Sequence, residues 1–134
     1  MPVAFIPSPP SNGFHVGSLF FHAYGLAYVL AGSERLYHAL RLAGALAKRE
    51  EVELHVFLLG DAVACAVAGQ QLPEGHYHLD RMLKLLVRRG EVACCGTCMD
   101  ARALTEQMLV EGARRSTLKE LTDWTLWADK TLTF

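Results

Sequence analysis

The chain has 134 residues, 51% of them apolar and 20% charged, which is enough for one domain with a real core and too apolar for a disordered chain. Thirteen Lys and Arg against 14 Asp and Glu give a formal net charge of -1, which leaves neither the basic footprint of a nucleic-acid binder nor a polybasic membrane signal. Three of the four cysteines cluster at Cys94, Cys95 and Cys98; a disulfide framework spreads its cysteines to close loops, so the clustering points to a reducing compartment with local thiol chemistry.

Taken in order, residues 1–33 carry no Asp, Glu, Lys or Arg. The apolar run 14–30 lacks the basic start of a secretory signal and is broken by His15 and His22, which argues against export and against a membrane span. Residues 1–22, with Pro2, Pro7, Pro9 and Pro10, read as an irregular N-terminal arm ahead of an α/β domain over 23–134. Residues 26–30 read as a first buried parallel strand. Ser33 then caps a helix over 34–48, with Leu36, Leu40, Ala43 and Ala47 on one face. Residues 52–59 form a second strand, and Asp61 caps an alanine-rich helix through 68 or orients a ligand. A loop over 70–75 leads to a helix over 77–89, striped by Leu79, Met82, Leu83, Leu86 and Val87 and stopped by Gly90.

Residues 91–95 form a third strand, and Thr97 to Asp100 reads as a capping box for the next helical turn. Residues 113–116 form a fourth strand. Thr117 to Glu120 is a second capping box, opening a helix through 128 on which Leu121, Trp124 and Trp127 share a core or subunit-interface face. Residues 130–134 form a terminal strand. The alternation predicts a three-layer α/β/α sandwich with a mostly parallel five-stranded sheet, whose ligands meet the carboxyl ends of the strands.

The chemistry-bearing segment is Cys95-Gly96-Thr97-Cys98-Met99-Asp100-Ala101-Arg102. It places Cys95 at a strand end and Cys98 at the start of a helix, where unpaired N–H groups favour a thiolate. Arg102 adds a positive charge, Asp100 opposes it unless its carboxylate is engaged, and Gly96 admits close backbone approach. Alternation sends Cys94 to the opposite face, and with Cys65 it reads as an inert small hydrophobe. Four chemistries fit the Cys95–Cys98 spacing. A zinc knuckle lacks a second cysteine pair and has only His76 and His78 to draw on. The others are a thioredoxin-like dithiol, a persulfide carrier and buried, unreactive cysteines. His76 and His78 suit proton shuttling, and Arg114 with Arg115 makes a basic spot for an acidic patch on a partner. No phosphate-cradling glycine loop is present, so no nucleotide cofactor is expected, nor a metal.

Several segments in order resemble the DsrE/DsrF-like (YchN/TusD-like) sulfur-relay family: residues 33–43, Leu58-Leu59-Gly60-Asp61-Ala62-Val63, the 69–77 loop, the 95–102 cysteine motif, Asp123-Trp124 and Ala128-Asp129-Lys130. The resemblance covers residues 24–134. It implies a small cytoplasmic α/β protein that accepts sulfane sulfur as a persulfide on Cys95 and passes it on. It also implies Cys98 as a second cysteine, sulfur donor and acceptor proteins as partners, and a homo-oligomer, trimer or hexamer. Gly96, Thr97, Asp100 and Arg102 support the two cysteines. Ala103 departs from the pattern by standing where a glycine is expected. The alternatives are a dithiol redox protein and a non-enzymatic assembly or regulatory module.

Overall fold

A computed structural model describes residues 13–16, 19–70 and 78–134, with side chains from residue 34 onward. The chain divides into two units, residues 1–35 and 36–134. In the first unit, β1 (Gly13–Val16) and β2 (Leu19–His22) pair antiparallel, with Phe14 opposite Phe21 and Val16 opposite Leu19. These parts of the predicted irregular arm are therefore paired strands; residues 1–12, 17 and 18 lie outside the described residues. β2 runs directly into α1 (Ala23–Leu46).

Residues 26–30, read from sequence as the first strand, lie inside α1, and Ser33 is interior to the helix rather than its cap. A short apolar run bounded by glycine carries no periodicity that separates strand from helix. Here Ala and Leu, both strong helix formers, join it to the helix that follows.

The second unit is built on a parallel sheet of β3 (His55–Leu58), β4 (Glu91–Cys95) and β5 (Ala113–Ser116), in that order with β4 central. Among the described residues this sheet has three strands where five were expected. The segment 130–134 forms no strand, and its Leu132 and Phe134 are mostly exposed. After β3 a 3₁₀ helix spans Gly60–Ala66 in place of the predicted alanine-rich α-helix. Gln70 closes its far end, its Nε2 donating to the carbonyls of Ala64, Cys65 and Val67 at 3.2 Å each. α2 (Leu79–Leu86) keeps the core of the predicted 77–89 helix, and α3 (Gly96–Asp100) and α4 (Leu118–Trp127) follow.

Every β4 residue after Glu91 is buried, on both faces of the strand. Such a strand reads as a continuous apolar run, as Val92-Ala93-Cys94-Cys95 does. Val92 and Cys94 join Leu58, Val63, Leu79, Leu83, Leu86 and Met99 in one core cluster, to which α1 adds Leu40.

The other face carries His55, Phe57 and Arg114, and α4 lies there. Trp124 meets His55 with ring centroids 4.5 Å apart and Phe57 edge-on at 5.9 Å; Trp127 stacks on His55 at 4.4 Å. Thr117 caps α4 by accepting from the Glu120 N–H at 3.3 Å. The Glu120 carboxylate does not complete the capping box. It takes bonds from the Arg114 guanidinium, at 2.7 Å from Nη1, and from the Ser116 hydroxyl. Arg114 also donates to Glu91 at 2.7 Å.

Arg114, and after it the Ser116 hydroxyl, hold the Glu120 carboxyl down at about 2, against an ordinary 4.5. A depressed carboxyl stabilises the fold above the unfolded-state value and loses that contribution as pH falls through the folded one. Glu120→Gln is expected to remove about 1 kcal/mol of the stability lost between pH 4.5 and 2, the small size reflecting a pair close to solvent. Urea denaturation of both proteins across that window checks it; parallel curves would contradict the role.

Candidate functional site

β4 and β5 end level with each other, Cys95 beside Ser116, and β3 ends one step earlier, Leu58 beside Cys94. The residues just past these ends gather at one edge of the sheet, where open parallel sheets place ligands. β4 passes into α3 without a connecting loop, so Cys95 is both the last strand residue and the N-cap of the helix. The predicted capping box from Thr97 to Asp100 is therefore not made, because Thr97 already lies inside the helix.

Cys95 is 6% exposed where Cys94 is fully buried, and both belong to the core cluster. Its Sγ lies 3.2 Å from the Thr97 hydroxyl. Burial pushes its thiol up. Hydrogen bonding from the Cys98 and Thr97 side chains, and from the backbone N–H groups of Cys98 and Thr97, outweighs this and sets it below its ordinary value. The neutral thiol makes no cap bond to those N–H groups, so their effect falls on the charged sulfur.

Alternation of side chains makes the neighbouring cysteines different. Cys94 is fully buried in the core and its thiol is pushed up to about 11, by burial and then by the nearby Cys95 and Glu106. Cys65 is pushed up to about 12, by burial first and then by Cys94. All four cysteines are free thiols.

Cys98 sits one turn into α3 and is half-buried. The Gly60 N–H, from the loop after β3, donates to its Sγ at 3.2 Å. Gly60 holds a left-handed φ of 57°, which is what turns that N–H toward the sulfur. Asp61, next in the chain, caps no helix: it accepts from Arg102 Nε at 2.8 Å. Arg102 also donates from Nη1 to the Cys98 carbonyl at 2.9 Å. Its charge, expected beside the thiols, is thus spent in tying the loop after β3 to the cysteine motif.

The Asp100 carboxylate is engaged by Arg115, whose Nη1 and Nη2 donate to its two oxygens at 2.7 Å each. That pairing holds the Asp100 carboxyl below its usual range. Sequence reasoning set Arg115 aside as a partner-facing basic spot. The rule that sites lie at the carboxyl ends of strands, applied to the fourth predicted strand as well as the third, would have brought it in. His76 lies outside the described residues, and among the described residues no three His, Cys, Asp or Glu side chains converge as metal ligands.

After α3, Leu104 N–H donates to the Met99 carbonyl and Ala103 N–H to the Asp100 carbonyl, at 3.0 and 3.1 Å. This is a Schellman closure with Ala103 at its left-handed position, φ 53°. Among the described residues Ala103 is the one non-glycine with positive φ, which accounts physically for the glycine expected there.

Two outcomes follow. Ala103→Gly should stabilise the protein by about 0.5–1 kcal/mol, the relieved left-handed strain less the added freedom of the unfolded chain; chemical denaturation measures it, and a loss of stability would contradict the strain. Iodoacetamide at pH 7–8 followed by peptide mapping should label Cys95 first and leave Cys94 and Cys65 unlabelled until the protein unfolds. Labelling of Cys94 or Cys65 ahead of Cys95 in native protein would contradict the ordering.

Comparison with known proteins adds the following. The DsrE/DsrF-like family pattern matches residues 25–134. Protein YchN of Escherichia coli K12 is 44% identical over 105 residues, covering 77% of this chain and 89% of that protein. An uncharacterized protein of Methanopyrus kandleri is 36% identical over 104 residues, covering 77% and 84%. The crystal structure of the Escherichia coli ychN protein superposes with a TM-score of 0.72 at 43% identity, covering 78% of this chain and 90% of that one.

Proposed function

The chain belongs to the DsrE/DsrF-like family, and from that premise we propose that it is a sulfur-handling protein that accepts sulfane sulfur on Cys95 and passes it on as a persulfide. The observation that carries this reading is the contrast among the cysteines. Cys95, 6% exposed at the carboxyl edge of the sheet, has its thiol lowered by hydrogen bonds, while Cys94 in the core and half-buried Cys65 beside it are held neutral.

In the proposed cycle the Cys95 thiolate attacks the outer sulfur of a donor persulfide. The donor's S–S bond breaks, the donor leaves as a thiolate, and Cys95 carries Cys–S–SH. An acceptor thiolate then attacks that outer sulfur and Cys95 departs as the thiolate it began as. The Thr97 hydroxyl at 3.2 Å and the Thr97 and Cys98 N–H groups stabilise the charge at both the start and the end. In a side path Cys98 attacks the Cys95 sulfur instead, closing a Cys95–Cys98 disulfide and releasing hydrosulfide.

Donor and acceptor proteins are the proposed partners, and free cysteines throughout suit a reducing cytoplasm. No helix among the described residues is long and apolar enough to cross a membrane. A homo-oligomer, trimer or hexamer, is part of the proposal. It is supported by the exposed Leu118, Leu126 and Trp127 of α4 with Leu132 and Phe134 beyond it, a concentration of apolar surface that marks association.

Incubation with a low-molecular-weight persulfide followed by intact mass measurement tests the reading. Wild type and Cys65→Ser are expected to gain one sulfur atom, and Cys95→Ser none. No gain on wild type, or an equal gain on Cys95→Ser, overturns it.

A further inference from the structure

Leu59 is the residue on which the chain leaves β3. It is 46% exposed, where Leu58 before it is buried in the core cluster. An exposed leucine needs no explanation by itself; the position of this one does. Its backbone is still extended, φ -116° and ψ 155°, so the pleat alternation runs through it and sets it on the face of Phe57, opposite Leu58. Leu58 pairs with Cys94 and Phe57 with Ala93. Continued one step, that register sets Leu59 beside Cys95, about 4.8 Å away across the strands. Cys95, two residues after Ala93, lies on the same face by the same alternation. The next residue gives a second measure of the closeness: the Gly60 N–H, bonded directly to the Leu59 carbonyl carbon, reaches the Cys98 sulfur at 3.2 Å.

The cations nearest the strand ends are already paired. Arg102 holds Asp61, Arg115 holds Asp100, Arg114 holds Glu91 and Glu120, and Lys119 holds Asp123. An anionic substrate therefore meets no unpaired cation among the described residues at this edge, while an apolar one meets Leu59.

We infer that Leu59 is a specificity-determining residue for the sulfur donor: its exposed side chain, beside Cys95 at the sheet edge, receives an uncharged apolar group that flanks the donor's persulfide. The inference rests on the relay reading and narrows it, to a donor protein whose persulfide cysteine is set among apolar, uncharged residues. Anionic low-molecular-weight persulfides are the class it disfavours.

Two measurements on the full chain test it. N-alkylmaleimides alkylate Cys95 without any sulfur donor, so they read the apolar surface alone. The rate at Cys95, followed by peptide mapping and taken relative to free cysteine, is expected to rise about threefold from the ethyl to the hexyl compound, much less than full burial of the added methylenes would give, because Leu59 is half open. Leu59→Asn, of similar size and at a site outside the core, should flatten the series, and Leu59→Met should keep it. The second measurement is the initial rate of sulfur gain, by intact mass, from butyl persulfide and from glutathione persulfide, each relative to free cysteine as acceptor. With either donor the outer sulfur passes to Cys95 and the donor leaves as its thiolate. Wild type is expected to favour the butyl donor about threefold, and Leu59→Asn to lose that preference. A flat maleimide series in wild type, which is also what a second copy seated over Leu59 would produce, overturns the inference. So does a series unchanged in Leu59→Asn, and so do equal rates from the two donors; the relay reading survives each of these. Sulfur gain from neither donor, with the maleimide series intact, retires the relay reading and the persulfide as substrate, and leaves Leu59 as the apolar contact of Cys95.

Discussion

The site depends on one backbone event: β4 turns into α3 with no residue in between. A strand residue must present its side chain to one face or the other, and a helix N-cap must leave the next N–H groups without intrahelical partners. Cys95 meets both conditions at once. Its sulfur is held at the sheet edge by the burial of β4 and lies near N–H groups that no carbonyl has claimed. One residue earlier, Cys94 is directed into the core by the same alternation and is chemically silent. Two adjacent cysteines thus differ through pleat geometry together with the helix start that follows Cys95.

Around that turn the structure spends its charged side chains on fastening loops. Asp61 and Arg102 join the loop after β3 to the end of the cysteine motif. Asp100 and Arg115 join the same motif to β5. On the opposite face of the sheet, Arg114 gathers Glu91 and Glu120 and so fastens α4 to β4 and β5. Neighbouring residues on β5, Arg114 and Arg115, serve opposite faces, again through alternation. Such pairs contribute modestly to stability when half-exposed; their main effect is to restrict how far the three loop ends can move relative to one another.

Much of this was legible in the residues. The apolar run at 91–95, the stripe on 79–86, the aromatic face of 118–127 and the position of Cys95 at a strand end all follow from periodicity and stop signals. What escaped was non-local or ambiguous. Residues 26–30 carry no charged residue to set a phase, so strand and helix were both compatible with them, and the helix formed. Asp61 and Asp100 each carried a local cap signal, and each instead took a distant arginine. A guanidinium in reach offers a carboxylate two charge-assisted bonds, more than one N–H at a helix start can. The glycine expected at 103 was readable from the family pattern, while its reason, a left-handed closure, needed the backbone.

The Gly60 N–H bond to the Cys98 sulfur bears on how the two sulfurs would share electrons. Any rearrangement that carried the Cys98 sulfur away from that N–H would strand a half-buried donor, at a cost of about 1–3 kcal/mol. The bond therefore favours the position Cys98 holds now, and in the proposed side path it would weigh against closing the disulfide wherever closure breaks it.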